Sequence, residues 1–324
     1  MNTNDQLKFY ENSQTRFFQG FRFLFIMAIV IMHAGYPILG NGADLCSFFF
    51  VLSGFLYKKK NNKNPLLYIY KKIEKTYSVY WFCFALFLIV NFLIGELHFK
   101  LRILPHIFLL QSLVPSTGEY YFEYVGTAWF LSSLFVCYVL SPYLSKLQLL
   151  IGTKYAFVLS LSLLLLMYFS DWGNYKTWLI YISPYFRICE YFMGLCLSSI
   201  VTKIKPVKSN IIYDIIIIGI YFIILNLKIL GNLSSLIHLA FIFYLYTFRS
   251  SLIKCIFGHY IFLIMSIYLI FIYLVHMIIF VPLIENVRIG NLEGMFISII
   301  FSVVWGGIYY AFKSCIMSYK SKLI

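Results

Sequence analysis

Charged residues are scarce in this sequence. Only 12% of its 324 residues are charged and 12 are Asp or Glu, whereas about a quarter of an ordinary soluble domain is charged. Apolar residues make up 61% of the chain, and the mean hydropathy is +0.84. This composition excludes a soluble enzyme, a disordered protein and a small secreted domain held by disulfides. It predicts an all-α, polytopic helix bundle in a lipid bilayer.

The sequence also lacks metal-ligand and disulfide patterns. Its seven cysteines include no CxxC pair and lie mostly within apolar runs, so we interpret them as small buried hydrophobic residues. No two histidines have the HxxxH spacing of a zinc site, and no metal is expected. Exposed or interfacial roles are predicted for four histidines near span ends, which are His98, His106, His238 and His259.

Two further absences bear on function. No cleavable signal peptide is visible, because no small-residue cleavage site follows the first apolar run. The two halves of the chain show no internal repeat, which weakens the case for a transporter built from inverted repeats.

What the chain does have is a series of long apolar runs. A helix of about 20 residues crosses the hydrocarbon core, and ten runs approach or exceed that length. The ten predicted spans are 17–37, 43–57, 77–95, 127–145, 154–171, 177–201, 211–227, 233–248, 259–284 and 295–313. A further run, 103–114, is too short to cross and is predicted to be re-entrant or interfacial on the outer face.

The positive charges divide unevenly between the connecting segments. With a cytoplasmic N-terminus and ten crossings, 19 of the 26 Lys and Arg residues fall in cytoplasmic segments and five in outer ones. This asymmetry fits the positive-inside rule and predicts that both termini are cytoplasmic. The predicted organisation is a single integral-membrane domain over 1–324, with cytoplasmic tails at 1–16 and 314–324.

A charge within a membrane span costs at least about 2.5–3.5 kcal/mol, and five ionisable residues within the predicted spans stand out. They are Arg22, His33, Arg187, Glu190 and His276. Arg22 and His33 are eleven residues apart on the first span, which is about three turns, so they share one face. His33 can carry a proton at neutral pH. The alternative is that Arg22 snorkels to the inner headgroups and His33 only marks an interface.

The other three residues lie on the sixth and ninth spans. Arg187 and Glu190 are three residues apart and therefore neighbours on one helix face. They form either a neutralising pair or the polar wall of a cavity in which Arg187 holds an anion or an acyl carbonyl. His276 lies at nearly the depth of His33. We expect His33, Arg187, Glu190 and His276 to converge on one pocket that connects inward to Arg22.

Several of these residues stand in longer motifs. The segment FRFLFIMAIVIMH, Phe21–His33, is followed by SFFFVLSGFLY, Ser47–Tyr57. Together they resemble the acyltransferase 3 family of integral-membrane acyltransferases, whose first span carries Arg, ten residues and His before an FFxLSGF segment. AWFLSSLFVCYVLSP with Trp129, RICEYFMG with Arg187 and MSIYLIFIYLVH ending at His276 resemble later elements of the family. One departure is Gln19, which stands where the family often has an acidic residue.

The resemblance implies a bundle of about ten helices that moves an acyl group, commonly acetyl, from cytoplasmic acyl-CoA to a hydroxyl of an extracytoplasmic glycan. The expected location is the bacterial inner membrane. His33 is expected to act as general base or acyl carrier, with Arg22 as the second catalytic residue. The alternative function is a transporter or flippase for a lipid-linked sugar or another anion.

The remaining expected roles follow from the same resemblance. Acyl-CoA, expected to be acetyl-CoA, is assigned a set of basic residues, which are Lys71, Lys72, Lys75 and Arg187. The substrate pocket is assigned Glu190, His276 and Trp129. For Lys58, Lys59, Lys60 and Lys63, membrane topology and lipid binding are the preferred interpretation.

Overall fold

The computed structural model describes residues 15–57, 64–98, 100–118, 120–249 and 251–323. The helices are α1 (Phe18–His33), α2 (Gly42–Phe55), α3 (Pro65–Ile94), α4 (Ile103–Ile107), α5 (Ala128–Ile151), α6 (Thr153–Phe169), α7 (Pro184–Val201), α8 (Ile211–Asn226), α9 (Ser235–Thr247), α10 (Ser251–Phe257), α11 (Tyr260–Glu285) and α12 (Asn291–Leu323). The strands β1 (Val207–Lys208) and β2 (Phe248–Arg249) form a two-residue parallel pair. Short helical turns lie at Gln111–Leu113, Tyr120–Phe122, Gly173–Tyr175, Trp178–Ile182 and Gly231–Leu233.

The architecture is helical, as the composition predicts. Each of the ten apolar runs overlaps one of these helices. Among the described residues, α3, α5, α11 and α12 are long and apolar enough to cross a membrane. Four other apolar helices, α1, α2, α6 and α8, have between 14 and 17 residues.

Two boundaries predicted from hydropathy were wrong. α3 begins at Pro65, before the start of the predicted span 77–95. The Asn64 side chain accepts the backbone N–H groups of Leu66 and Leu67, and the Lys and Glu residues that follow favour helix. The predicted span 177–201 is divided at Pro184, which is the first residue of α7. Proline suits that position because it has no N–H to donate.

The segment after α3 has little regular structure. α4 has five residues, too few to cross a bilayer, in agreement with the prediction for this run. His106 and Gln111 are nevertheless fully buried, and the Trp178 indole N–H donates to the Ser112 carbonyl oxygen at 3.0 Å. The exposed role predicted for His106 was therefore wrong, and burial lowers the pKa of this imidazole to about 4.

The chain divides into two compact units. The first comprises Met1–Ile38, Ser78–His98 and Leu252–Ile324. In it α11 packs against both α1 and α12. Gly20 on α1 allows a close approach, because a Cβ there would lie 2.7 Å from the Phe257 Cα. This packing brings His33, at the C-terminal end of α1, beside His276 on α11.

The second unit comprises Leu39–Tyr77 and Phe99–Ser251, and its centre is the crossing of α2 and α7. A glycine from each helix lies at the crossing. A Cβ on Gly54 would overlap the carbonyl oxygen of Tyr191, and a Cβ on Gly194 would overlap that of Val51. Small residues of this kind let two helix backbones approach closely. The crossing places the first half of α2 beside the first turns of α7.

Candidate active site

A pair of histidines lies in the first unit. Nδ1 of His33 is 2.9 Å from Nε2 of His276. The ring planes are inclined by only 11°, and the ring centroids are 5.2 Å apart. Because the nitrogens are much closer than the centroids, the rings meet edge to edge, which is the geometry of an in-plane hydrogen bond. His276 is fully buried, whereas His33 is partly exposed.

Arg22 lies on the same helix as His33 and is half-buried. Its Nη1 donates one long hydrogen bond of 3.5 Å to Oε1 of Gln19. Its Nε has no hydrogen-bond partner among the described residues. A neutral amide therefore faces this cation, and among the described residues the guanidinium has one long hydrogen bond.

The other buried arginine, in the second unit, makes four hydrogen bonds with its guanidinium group. Arg187 Nη1 donates to Oε2 of Glu190 and to Oγ of Ser47, both at 2.8 Å. Ser47 in turn donates to Oε1 of Glu190 at 2.6 Å. Nε and Nη2 of Arg187 both donate to the carbonyl oxygen of Tyr181, at 3.1 and 2.8 Å. The ion pair is almost completely buried, with side-chain exposures of 1% and 0%.

Aromatic rings enclose this guanidinium. Its central carbon lies 5.3 Å from the ring centroid of Phe50, 5.8 Å from that of Phe186 and 6.0 Å from that of Trp129, within reach of a cation–π attraction. Trp129 thus belongs to the surroundings of Arg187 and Glu190. These contacts favour the neutralising pair, which was one of the two alternatives from sequence. The acyl-CoA role of Arg187 stays a prediction.

The basic residues assigned to acyl-CoA lie near the start of α3. Lys71 and Lys75 are exposed one turn apart, and Lys72 is half-buried. Nζ of Lys72 lies 4.2 Å from the ring centroid of Tyr138, so this lysine contributes to packing as well as to charge. The neighbouring lysines Lys58, Lys59, Lys60 and Lys63 fall outside the described residues.

The structure therefore groups the expected pocket residues in two sets. His33 and His276 form one set in the first unit, and Arg187 and Glu190 form the other in the second. A single pocket shared by all four stays a prediction. Among the described residues, no three His, Cys, Asp or Glu side chains lie close enough together to hold a metal ion.

A cavity of about 470 Å³ lies in the second unit. Its lining includes five polar residues, Asn41, Lys176, Thr177, Tyr181 and Asn232. The Tyr181 ring also packs against Trp129, with centroids 4.7 Å apart. Because the carbonyl oxygen of Tyr181 accepts from Arg187, this residue joins the wall of the cavity to the buried ion pair.

Sequence reasoning missed several members of these groups. Ser47 stands at the start of the SFFFVLSGFLY segment, but nothing in its local sequence marks it as the partner of Glu190. His238 is fully buried, so the exposed role predicted for it was wrong. Its Nε2 lies 2.7 Å from the Asp44 carbonyl oxygen, and its Nδ1 lies 2.8 Å from the Tyr221 hydroxyl.

Comparison with protein families decides between the functions left open by the sequence. The family model described as an acyltransferase domain, Acyl_transf_3, matches residues 15–312. The chain belongs to the acyltransferase 3 family. Comparison with curated proteins gives no match, and neither does comparison with solved structures.

Family membership identifies the chain as a membrane acyltransferase. The four long apolar helices agree with integration into a membrane. In this acyltransferase the Arg–x10–His motif occupies α1, and the late YLxH-like element ends at His276 on α11. The family match favours an enzyme over the transporter that the sequence left as an alternative.

Proposed function

We propose that this acyltransferase moves an acyl group, with acetyl as the expected one, from acyl-CoA on the cytoplasmic side to a hydroxyl of a glycan outside. The observation that carries the proposal is the family's Arg–x10–His motif on α1, in which His33 is partly exposed and hydrogen-bonded to a buried histidine. The enzyme is placed in the inner membrane of a bacterial cell, where a cytoplasmic thioester and an external glycan lie on opposite sides.

The chemistry requires a group that handles the hydroxyl proton or carries the acyl group. Either role uses the lone pair of one imidazole nitrogen of His33. As general base, His33 takes the proton of the attacking hydroxyl and passes it to the CoA thiolate as the C–S bond breaks. As acyl carrier, it bonds to the acyl carbon first and releases the group to the hydroxyl.

The direct test is an assay of the purified enzyme in detergent or nanodiscs. Acyl-CoA and a bacterial surface glycan are supplied together, and free CoA is measured. CoA release that depends on the glycan, with a matching mass increase on the glycan, supports the proposal. Transport of the glycan across a vesicle membrane without CoA release would contradict it.

Binding of the donor is assigned to Arg22, and the role of Lys71, Lys72 and Lys75 stays a prediction from the sequence. Among the described residues Arg22 makes one long hydrogen bond, whereas Arg187 makes four, which favours Arg22 for an anionic or carbonyl group of acyl-CoA. We expect Arg22→Ala to raise the KM for acyl-CoA and lower kcat. Arg22→Lys should restore only part of the activity, because an ammonium lacks the planar fork of a guanidinium. Unchanged kinetics of Arg22→Ala would instead identify Arg22 as a snorkelling residue.

The acceptor is assigned to the cavity of the second unit. Amides, a hydroxyl, a phenol ring and an ammonium group offer hydrogen bonds and a stacking surface to a hydroxyl-rich ligand. We expect Lys176→Gln to raise the KM for the glycan severalfold and to leave the KM for acyl-CoA unchanged. Lys228→Gln is the matched control, because Lys228 is an exposed outer lysine that does not line the cavity. Equal effects of the two variants would contradict this assignment.

We propose ten crossings with both termini in the cytoplasm. The charge asymmetry supports this topology. The cavity also supports it, because its lining residues lie in or next to three segments that this topology places outside. Glu74→Cys is expected to react with a membrane-impermeant maleimide only from the cytoplasmic side, and Leu292→Cys only from outside. The background should carry Cys255→Ser and Cys315→Ser, because both native thiols are exposed. Labelling of both sites from one side would rule out ten crossings.

A further inference from the structure

The hydrogen bonds of the histidine pair determine which ring nitrogens carry protons. His276 Nδ1 lies 2.9 Å from the carbonyl oxygen of Ile272, one turn earlier on α11. A carbonyl oxygen can only accept a hydrogen bond, so the proton of this contact belongs to Nδ1 of His276. His276 is fully buried and 2.9 Å from another imidazole. An uncompensated charge in such surroundings is costly, so His276 is neutral.

The proton positions of the second ring follow from those of the first. A neutral imidazole carries one N–H, so Nε2 of His276 is a bare acceptor. The facing nitrogen, Nδ1 of His33, must then carry the proton of the 2.9 Å contact. Nε2 of His33 is left with its lone pair. His33 thus donates a hydrogen bond to His276, and His276 donates one to the Ile272 carbonyl oxygen.

We propose that His276 is a positioning residue that holds His33 in the tautomer with Nε2 free to react. The inference rests on the proposed function, since it states which nitrogen of His33 performs it. In the base route, Nε2 takes the proton of the attacking hydroxyl while its oxygen bonds to the acyl carbon. The same proton then leaves with the CoA sulfur as the C–S bond breaks. The Nδ1–H of His33 stays donated to Nε2 of His276 throughout and orients the imidazolium.

The arrangement serves the acyl-carrier route equally. There Nε2 itself bonds to the acyl carbon as the C–S bond breaks and the CoA thiolate departs. The hydroxyl oxygen then bonds to the acyl carbon as the C–Nε2 bond breaks, and the freed Nε2 takes the hydroxyl proton and passes it to the thiolate. The Nδ1–H of His33 remains donated to His276 in both steps. In both routes an unassisted His33 would be divided between two tautomers and free to rotate. A partner that accepts a hydrogen bond from Nδ1 of His33 selects one tautomer and fixes the orientation of the ring. A carboxylate orients the histidine of a hydrolase triad in the same way.

Two substitutions at His276 separate hydrogen bonding from packing. His276→Leu fills similar space but accepts no hydrogen bond. We expect its kcat to fall by about 10²-fold or more, with the KM for acyl-CoA and the thermal unfolding temperature near native. His276→Gln can donate its NH₂ to the Ile272 carbonyl oxygen and accept with its carbonyl oxygen, so it should recover most of the lost kcat. Equal kcat in His276→Leu and the native enzyme would overturn the proposal.

A spectroscopic measurement tests the tautomer without any activity. The chain has six histidines, and the ¹⁵N signals of His33 are identified by their loss in His33→Ala. At a pH where the imidazole is neutral, we expect Nδ1 of His33 in the native protein to give the signal of a protonated nitrogen. In His276→Leu the tautomer with protonated Nε2 should gain population. A protonated Nε2 in the native protein would overturn the proposal.

The two measurements also separate this proposal from the proposed function. If the native enzyme releases no CoA with any glycan, the function fails and the ¹⁵N spectrum still decides the tautomer. If the native enzyme is active and the spectrum places the proton on Nε2, the positioning role fails and the acyl transfer stands. His98→Gln is the matched control, since His98 is exposed and distant in sequence from both α1 and α11.

Discussion

His33→Ala is expected to abolish acyl transfer in a protein that still inserts and folds. The physical reason is that no other group of α1 can exchange a proton near neutral pH. General acid–base catalysis contributes about 10²–10⁴-fold, so kcat should fall by at least that factor. The measurement is release of free CoA in the presence of glycan, normalised to protein that elutes as a single peak in gel filtration.

His98→Ala serves as the control for this variant. His98 is an exposed histidine outside the helices, so its removal should leave kcat unchanged. Near-native transfer by His33→Ala, with normal acylation of the glycan, would remove the basis of the assignment. Loss of transfer together with a lower unfolding temperature would point to a packing defect, and His33→Gln would then be needed to retain polarity at this position.

Arg187→Met is expected to have the largest effect on stability. It leaves the Glu190 carboxylate fully buried without its cation, while Ser47 still donates to it. Breaking a buried pair by removing one partner costs about 3–5 kcal/mol. We expect a marked fall in the thermal unfolding temperature, measured by intrinsic fluorescence in detergent, and less folded protein in the membrane.

The double variant Arg187→Met/Glu190→Leu provides the comparison. It removes both charges together, so it should be more stable than either single substitution. This result would show that the loss of stability in Arg187→Met comes from the buried carboxylate left without its cation. A stable Arg187→Met with a raised KM for acyl-CoA would give the opposite result, and would restore the donor-binding role expected from the sequence.

Much of the architecture could be predicted from sequence because it depends on periodic, local properties. Apolar runs located each long helix, and the separation of Arg22 and His33 gave their shared face from helix geometry alone. The start of α3 was missed because hydropathy does not detect a helix that begins outside lipid. The helix there depends on the Asn64 cap and on good helix formers.

The residues of the candidate site could be predicted from the sequence, but most of the contacts between them could not. His33 and His276 could be paired by their similar depth, although their direct hydrogen bond joins residues 243 positions apart. The Ser47 contact with Glu190 was not predictable, because it depends on how closely two helices cross at Gly54 and Gly194. His106 and His238 lie near helix ends in sequence, yet each is covered by segments that are distant along the chain.

The crossing of α2 and α7 also affects how the protein is made. α2 carries the buried polar residues Asp44 and Ser47, and the contact between Ser47 and Arg187 spans 140 residues of sequence. At roughly 5–20 residues per second of synthesis, α2 leaves the ribosome about 7–30 s before α7 is available. A 14-residue helix with unpaired polar groups is a poor lipid-facing segment. During that interval the insertion machinery must keep the polar groups of α2 away from lipid. Substitutions at Gly54 or Gly194 should therefore lower the yield of inserted protein before they alter its catalysis.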